Sequence, residues 1–416
     1  MKELVISQEI LKEIKNDLKE FHSELYLESF INMESREVLK RIVAKKHKAL
    51  LGTEERLHYA IQEIVGLGVI DEIINNNHLV TDVSFNGTAL IIETPDEKYE
   101  YEQDVEEEYI IQIIQKFANA VGKEFTPKTP ILDAALNNLR INAVHKTISS
   151  YGTTMAIRVS RPKLVLNEDT FPGFAPIYML EFFRAAVETR CNMVIAGETG
   201  TGKTEFQKFL TSFIPFNEKI GWIEDTLEGH VKELFPEKDI ISWLVTPGTS
   251  ISELIKAMLR NNPTWINVSE TRGKEAYEMI QAVLSGHHII TTAHTVGAKA
   301  IPTRFINMAK MGYEIDEKSL ERDIFRYFQI GAFIKKKRIK GRMTRYLSEV
   351  VFFLEDGSCH TIFEVKEVHG EQHYMTYDLP AEFIERLKEY NIAYEDLLSN
   401  KLSSYQGAYL KGGEHT

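Results

Sequence analysis

The stretch Gly197-Glu198-Thr199-Gly200-Thr201-Gly202-Lys203-Thr204 decides most of what this chain can be. It fits G-x-x-x-x-G-K-[ST], a pattern in which glycines let successive backbone N–H groups close around a polyphosphate. In such a loop Lys203 reaches the β- and γ-phosphates, and the Thr204 hydroxyl holds a magnesium ion. Accident produces the pattern about once in 100 chains of this size, and the flanks lower that figure. Met193-Val194-Ile195-Ala196 reads as a strand entering the loop, and Phe206, Phe209, Leu210 and Phe213 recur at helical spacing beyond it. Strand, glycine turn and helix N-terminus together present unpaired N–H groups and a helix dipole to an anion. All eight loop residues are therefore expected to bind a nucleotide.

Composition bounds the rest. The chain has 416 residues, 43% of them apolar, enough for two or three domains with their own cores. A formal charge of −12 disfavours generic attraction to nucleic acid or anionic membrane, and no sequence-specific nucleic-acid binding is expected. No apolar run approaches the ~20 residues of a membrane span, and the first stretch is a charged helix rather than a signal peptide. Cys191 and Cys359 stand apart, without a C-x-x-C pair. These features predict a cytoplasmic protein.

The pattern along the chain divides it into four segments. Residues 1–60 read as a helical extension, with Ile6, Ile10, Leu11, Ile14 and Leu18 forming one stripe. That stripe suits a helical bundle better than a membrane surface. Residues 61–160 read as a small α/β domain. There Leu67 to Asp71 ends a helix, and Thr81 to Phe85 turns at Asn86-Gly87 into a strand at Ala89 to Glu93. A helix follows through Ile110, Ile114, Phe117 and Val121, then strands at Leu139 to Val144 and Thr154 to Val159. Pro162, Pro172, Gly173 and Pro176 mark residues 161–176 as a linker. Residues 177–416 read as a largely parallel α/β domain, with strands at 193–197, 219–224, 241–246, 264–269 and 288–293. Helices are expected at 203–213, 249–260, 273–285 and 297–311, and antiparallel strands and short helices in the tail.

A glycine loop alone does not separate a kinase from a motor; the residues downstream narrow the choice. Ile220-Gly221-Trp222-Ile223 delivers Glu224-Asp225-Thr226-Leu227-Glu228 to a strand end, and Trp265-Ile266-Asn267-Val268-Ser269 delivers Glu270, followed by Thr271-Arg272-Gly273. Gly286-His287-His288 and Thr291-Thr292-Ala293-His294 come next. A carboxylate at the end of the strand beside the loop is where water is polarised for attack on a γ-phosphate. The ordered set GETGTGKT, IEDTLE, SETRG and GHHIITTAH resembles the secretion-type ATPases of the type II/IV secretion and pilus-motor superfamily. Pro130 to Leu136 and Leu139 to Ala143 resemble that family's upstream segment, so the resemblance covers roughly residues 61–330. Arg272-Gly273-Lys274-Glu275-Ala276 sits closer to the conjugation and Tad-pilus branch. The spacing from Gly286 to His294 fits retraction motors instead.

The resemblance implies a RecA-like P-loop NTPase domain, a ring of six identical subunits, and ATP with Mg²⁺ as cofactors. It implies a machine bound peripherally to membrane-embedded secretion or pilus platform proteins. Lys203 then stabilises phosphoryl charge, Glu270 orients the attacking water, and Glu224 and Glu228 organise the metal or its water. Thr204, Glu224 and Glu270 form the metal set, and His294 senses the γ-phosphate. Arg140 and Arg158 reach the phosphates from the N-terminal domain, while Arg272 and Arg304 serve a subunit interface. Two departures stand out: Ser269 replaces a glycine, and the polar Asn267 interrupts its strand in a way expected to slacken packing. The basic run Lys335-Lys336-Lys337-Arg338, continued by Lys340, Arg342 and Arg345, reads as a solvated hairpin. A pilus-retraction motor, an ATP-binding scaffold and a nucleic-acid translocase remain as rival readings.

Overall fold

A computed structural model describes residues 6–393 except 31, 96, 247, 340, 341, 369 and 370; the expectations for Lys340 and for the tail beyond 393 lie outside them. Two compact units result, one ending at Arg161 and one beginning at Pro162. Among the described residues no helix is long and apolar enough to cross a membrane.

The first unit starts with the helices Gln8–Phe21, Ser23–Glu28, Met33–Lys46, Lys48–Leu51 and Glu54–Val65. Ser7 and Asn32 accept N–H bonds at the starts of two of these, supplying the oxygen an N-cap needs. The apolar stripe of the first helix is covered. Ile14 and Leu18 are fully buried against Leu39, Val43 and Ile61, which favours a bundle over a lipid-facing helix. The helix expected to end across Leu67 to Asp71 stops at Val65, and a new one, Val69–Asn76, begins instead. Gly68 at φ +54° turns the chain between them, and the Asp71 carboxylate accepts from the Leu67 N–H at 3.0 Å. An antiparallel sheet of six strands follows, with Thr154–Val159 between Asp82–Phe85 and Leu139–Val144. The helix Glu107–Ala120 covers one face through Ile110, Ile113, Ile114 and Phe117.

Nine described strands form the sheet of the second unit. From one edge the order is Glu371–Thr376, Cys359–Val368, Arg342–Phe353, Ile330–Ile339, Met193–Gly197, Ile290–Ala293, Trp265–Thr271, Ile220–Glu224 and Ile240–Leu244. The six from Ile330–Ile339 onward run parallel, and the other three are antiparallel additions. Apolar clusters cover both faces of the parallel part, so its strands read as continuous hydrophobic runs rather than alternating ones. The helix Lys203–Ser212 is anchored by Phe206, Phe209 and Leu210, each nearly fully buried. Each such side chain contributes about 1.5–3 kcal/mol of burial, which fixes the helix start where the loop needs it.

Several stretches depart from the sequence expectation. Phe171 and Phe174, within the proline- and glycine-marked segment, lie in the second unit's core. That segment is also pinned to the loop helix, since the Leu166 N–H donates to Glu205 at 3.2 Å and Lys208 Nζ to the Lys163 carbonyl at 3.1 Å. Helices Ile177–Glu188 and Glu317–Tyr327 and the strand Ile330–Ile339 were not anticipated as elements. The basic run forms a hairpin as expected, with Lys335 to Arg338 exposed; its strands Ile330–Ile339 and Arg342–Phe353 join the main sheet, the first through Ile330 to Ile334.

Candidate functional site

The candidate site lies at the C-terminal ends of the parallel strands, where open α/β sheets present their ligands. Met193–Gly197 feeds the glycine loop, and Ile290–Ala293, Trp265–Thr271 and Ile220–Glu224 follow it in that order across the sheet, parallel to it. The loop backbone tolerates only glycine at its key positions. A Cβ on Gly197 would lie 2.6 Å from the Ile334 carbonyl oxygen, and Gly200 and Gly202 sit at φ +73° and +92°. The Thr201 hydroxyl donates to the Glu198 carbonyl at 2.9 Å, closing the turn from inside.

Lys203 opens the helix at the loop's end and is buried, with its Nζ donating to the carbonyls of Gly197 at 3.0 Å and Glu198 at 2.9 Å. Burial pulls its pKa below the ordinary lysine value; Glu270 opposes the shift and Lys336 adds to it. His294 sits between this ammonium and Glu270. Its ring nitrogens lie 3.4 and 3.5 Å from Lys203 Nζ, and its Nε2 lies 3.2 Å from Glu270 Oε1. Lys203, Glu270 and His294, taken from three separate motifs, thus meet in one contact chain. Thr204 occupies the helix's first turn, half-buried beside Lys203.

The acidic motif divides into two environments. Glu224 is fully buried, and one carboxylate oxygen accepts from the N–H groups of Glu228 at 3.1 Å and Gly229 at 2.8 Å. Burial raises its pKa, against the pull of those two amides. Its carboxylate therefore holds the turn that follows it, while Glu228 stands half-buried at that turn. Asp225 pairs with Arg272, expected at an interface between subunits, and so ties the acidic motif to the one after Glu270 within one chain.

Asn267 corrects another expectation. Its amide is buried without slack: the oxygen accepts from the Ile290 N–H at 3.0 Å, and the nitrogen donates to Thr211 at 3.2 Å. A polar residue engaged at both ends of its amide braces the strand rather than loosening it. Sequence reasoning also missed Gln207, whose buried amide nitrogen donates to the carbonyls of Val268 at 2.9 Å and Ile290 at 2.7 Å. Its place one turn beyond Lys203, polar among buried apolar positions, was the available signal.

Arg140 and Arg158 lie in the first unit as directly opposed residues on neighbouring strands. Like charges so placed repel. Each has a carboxylate nearby, Asp133 at 3.6 Å from Arg140 and Asp82 at 3.1 Å from Arg158, and both remain partly exposed. An arginine pair on one sheet face is chemically suited to an anion.

The second unit has a mixed α/β architecture, consistent with a RecA-like NTPase fold. Residues 127–322 match the family described as type II/IV secretion system protein. An uncharacterized protein of Bacillus anthracis is 45% identical over 403 residues, covering 92% of this chain and 91% of that one. The type IV secretion system protein VirB11 of Brucella suis is 30% identical over 224 residues, or 45% of this chain; the chain spans 60% of that relative's length. The Yersinia pseudotuberculosis ATPase DotB shares the fold at 14% identity and a TM-score of 0.52, over 70% of this chain and 79% of that one. The chain belongs to the type II/IV secretion ATPase superfamily.

Proposed function

We propose that this protein binds Mg-ATP at the glycine loop and hydrolyses it, and that turnover powers a type IV secretion, conjugation or Tad-type pilus machine. The observation that carries the reading is the contact chain Lys203–His294–Glu270 at the strand ends. An ammonium whose pKa is depressed by burial gains most from an incoming polyphosphate, because the new anion relieves the desolvation. Lys203 would exchange its two loop carbonyls for phosphate oxygens. Glu270 would then orient the attacking water, and His294, touching both, would register the change in charge when the γ-phosphate leaves.

The residues fit the metal as well as the nucleotide. Hydroxyl and carboxylate oxygens are the hard donors magnesium prefers, and it usually keeps several waters and phosphate oxygens in its shell. Thr204 would supply the direct protein ligand, with Glu270 and Glu228 acting through water. Glu224, already accepting two amide bonds, would hold the acidic turn in place. Bound magnesium would supply charge neutralisation to the phosphates. Arg140 and Arg158 would contact the phosphates as a pair, gaining charge-assisted hydrogen bonds only when nucleotide is present.

A ring of six copies working from the cytoplasm on a membrane platform completes the proposal. It is tested by measuring ATP turnover across a protein concentration series with Mg²⁺, with mass read by light scattering on the same samples. Turnover that climbs as a ring forms supports the motor. ATP binding with no turnover at any concentration would favour the scaffold reading, and turnover that requires DNA would favour the translocase.

A further inference from the structure

The basic hairpin keeps Lys335 to Arg338 exposed, yet two of its cations reach back to the glycine loop. Its first strand runs parallel to the loop strand, paired residue by residue from Ile330 with Met193 to Ile334 with Gly197. The residues that follow are therefore carried along past the loop. The second strand returns antiparallel, placing Arg345 directly opposite Lys336. Two opposed cations on one face repel, which calls for an acceptor between them. That acceptor is the loop backbone. Lys336 Nζ donates to the Thr199 carbonyl at 2.8 Å, and Arg345 Nε donates to the Gly200 carbonyl at 3.0 Å.

Both cations also pack on glycines. A Cβ on Gly200 would meet Lys336 Nζ at 3.1 Å, and one on Gly202 would meet Arg345 Cδ at 3.6 Å. The peptide group is planar and trans, so its C=O and N–H point in opposite directions. Holding the Thr199 and Gly200 carbonyls toward the hairpin therefore aims the N–H groups of Gly200 and Thr201 away from it. Those are amides the loop pattern offers to a polyphosphate. A carbonyl that accepts from a cation also polarises its own peptide, making the N–H a stronger donor.

We propose that Lys336 and Arg345 are positioning residues, a cross-strand clamp that sets two loop peptides with their N–H groups toward the nucleotide's phosphates. The role of the clamp rests on the ATP-binding reading given above; its grip on the loop does not. The test therefore has two arms on the full chain. Hydrogen exchange of the segment 197–204 is followed without nucleotide in wild type, Lys336→Ala/Arg345→Ala, Lys336→Arg and Lys335→Ala. ATP affinity and the KM and kcat for turnover are then measured on the same proteins.

The clamp predicts loop exchange at least tenfold faster in the double variant, with melting temperature unchanged. It also predicts about tenfold weaker ATP binding, with the loss in KM and kcat held within twofold. Lys336→Arg retains the loop protection. Lys335→Ala, which removes one positive charge from the opposite strand face, leaves both readouts as in wild type. Loop exchange unchanged in the double variant overturns the clamp, whatever happens to affinity. Faster loop exchange in a protein whose wild type binds no ATP would keep the clamp and sink the nucleotide reading.

Discussion

Asn267 offers a quantitative test of how the site is held. Replacing it with Ala removes the acceptor of the buried Ile290 N–H and the donor to Thr211. An orphaned buried amide costs about 2 kcal/mol and a lost neutral hydrogen bond about 1 kcal/mol. Thr211 keeps its own bond to the Gln207 carbonyl at 2.8 Å, so little is added there. The sum is about 3 kcal/mol, equivalent to roughly 6–12 °C of melting temperature for a domain of this size. Thermal unfolding followed by circular dichroism gives the shift, and exchange at the Ile290 amide shows where it arises. A variant that melts within 2 °C of wild type (on the order of the measurement's resolution), or above it, would show that Asn267 does slacken the strand and would refute the bracing argument.

Two further predictions use pH. Burial raises the Glu224 pKa, so its contribution to stability is fully present in acid and is lost as pH climbs through the folded value. Glu224→Gln keeps an oxygen for both amides and removes that loss, so the variant's stability advantage in urea unfolding should grow as pH rises above the ordinary carboxylate value of 4.5; a constant difference would contradict this. Burial, then the nearby Arg190, push His288 down to about 4. A depressed histidine keeps its stability above the unfolded value near 6.5 and loses it as pH falls toward 4, by at most about 3 kcal/mol. His288→Phe should flatten that acid limb, and an unaltered limb would show that other groups set it.

What the sequence disclosed, and what it hid, follows from the range of the interactions. Residues 193 to 213 declare strand, loop and helix because the glycine pattern and the apolar spacing are local. The strands ending at Glu224, Glu270 and Ala293 were legible as short apolar runs, and His294 joined them through motif order. Lys336 and Arg345 lie 137 and 145 positions from the loop carbonyls they hold, and a run of lysines looks the same whether it faces water or backbone. Asn267 looked like a flaw because its partners, Thr211 and Ile290, come from other elements. Phe171 and Phe174 were masked by neighbouring prolines and glycine, although two aromatics in a supposed linker were a readable sign of burial.

The central claim is that Lys203, His294 and Glu270 form one ATP-hydrolysing cluster. The most direct test is to incubate wild type, Lys203→Ala and Glu270→Gln with labelled ATP and Mg²⁺, recover the protein by rapid filtration, and resolve the bound nucleotide. The account predicts that Glu270→Gln traps triphosphate unhydrolysed, Lys203→Ala retains almost none, and wild type carries mostly diphosphate. Triphosphate cleaved by Glu270→Gln at the wild-type rate would contradict it.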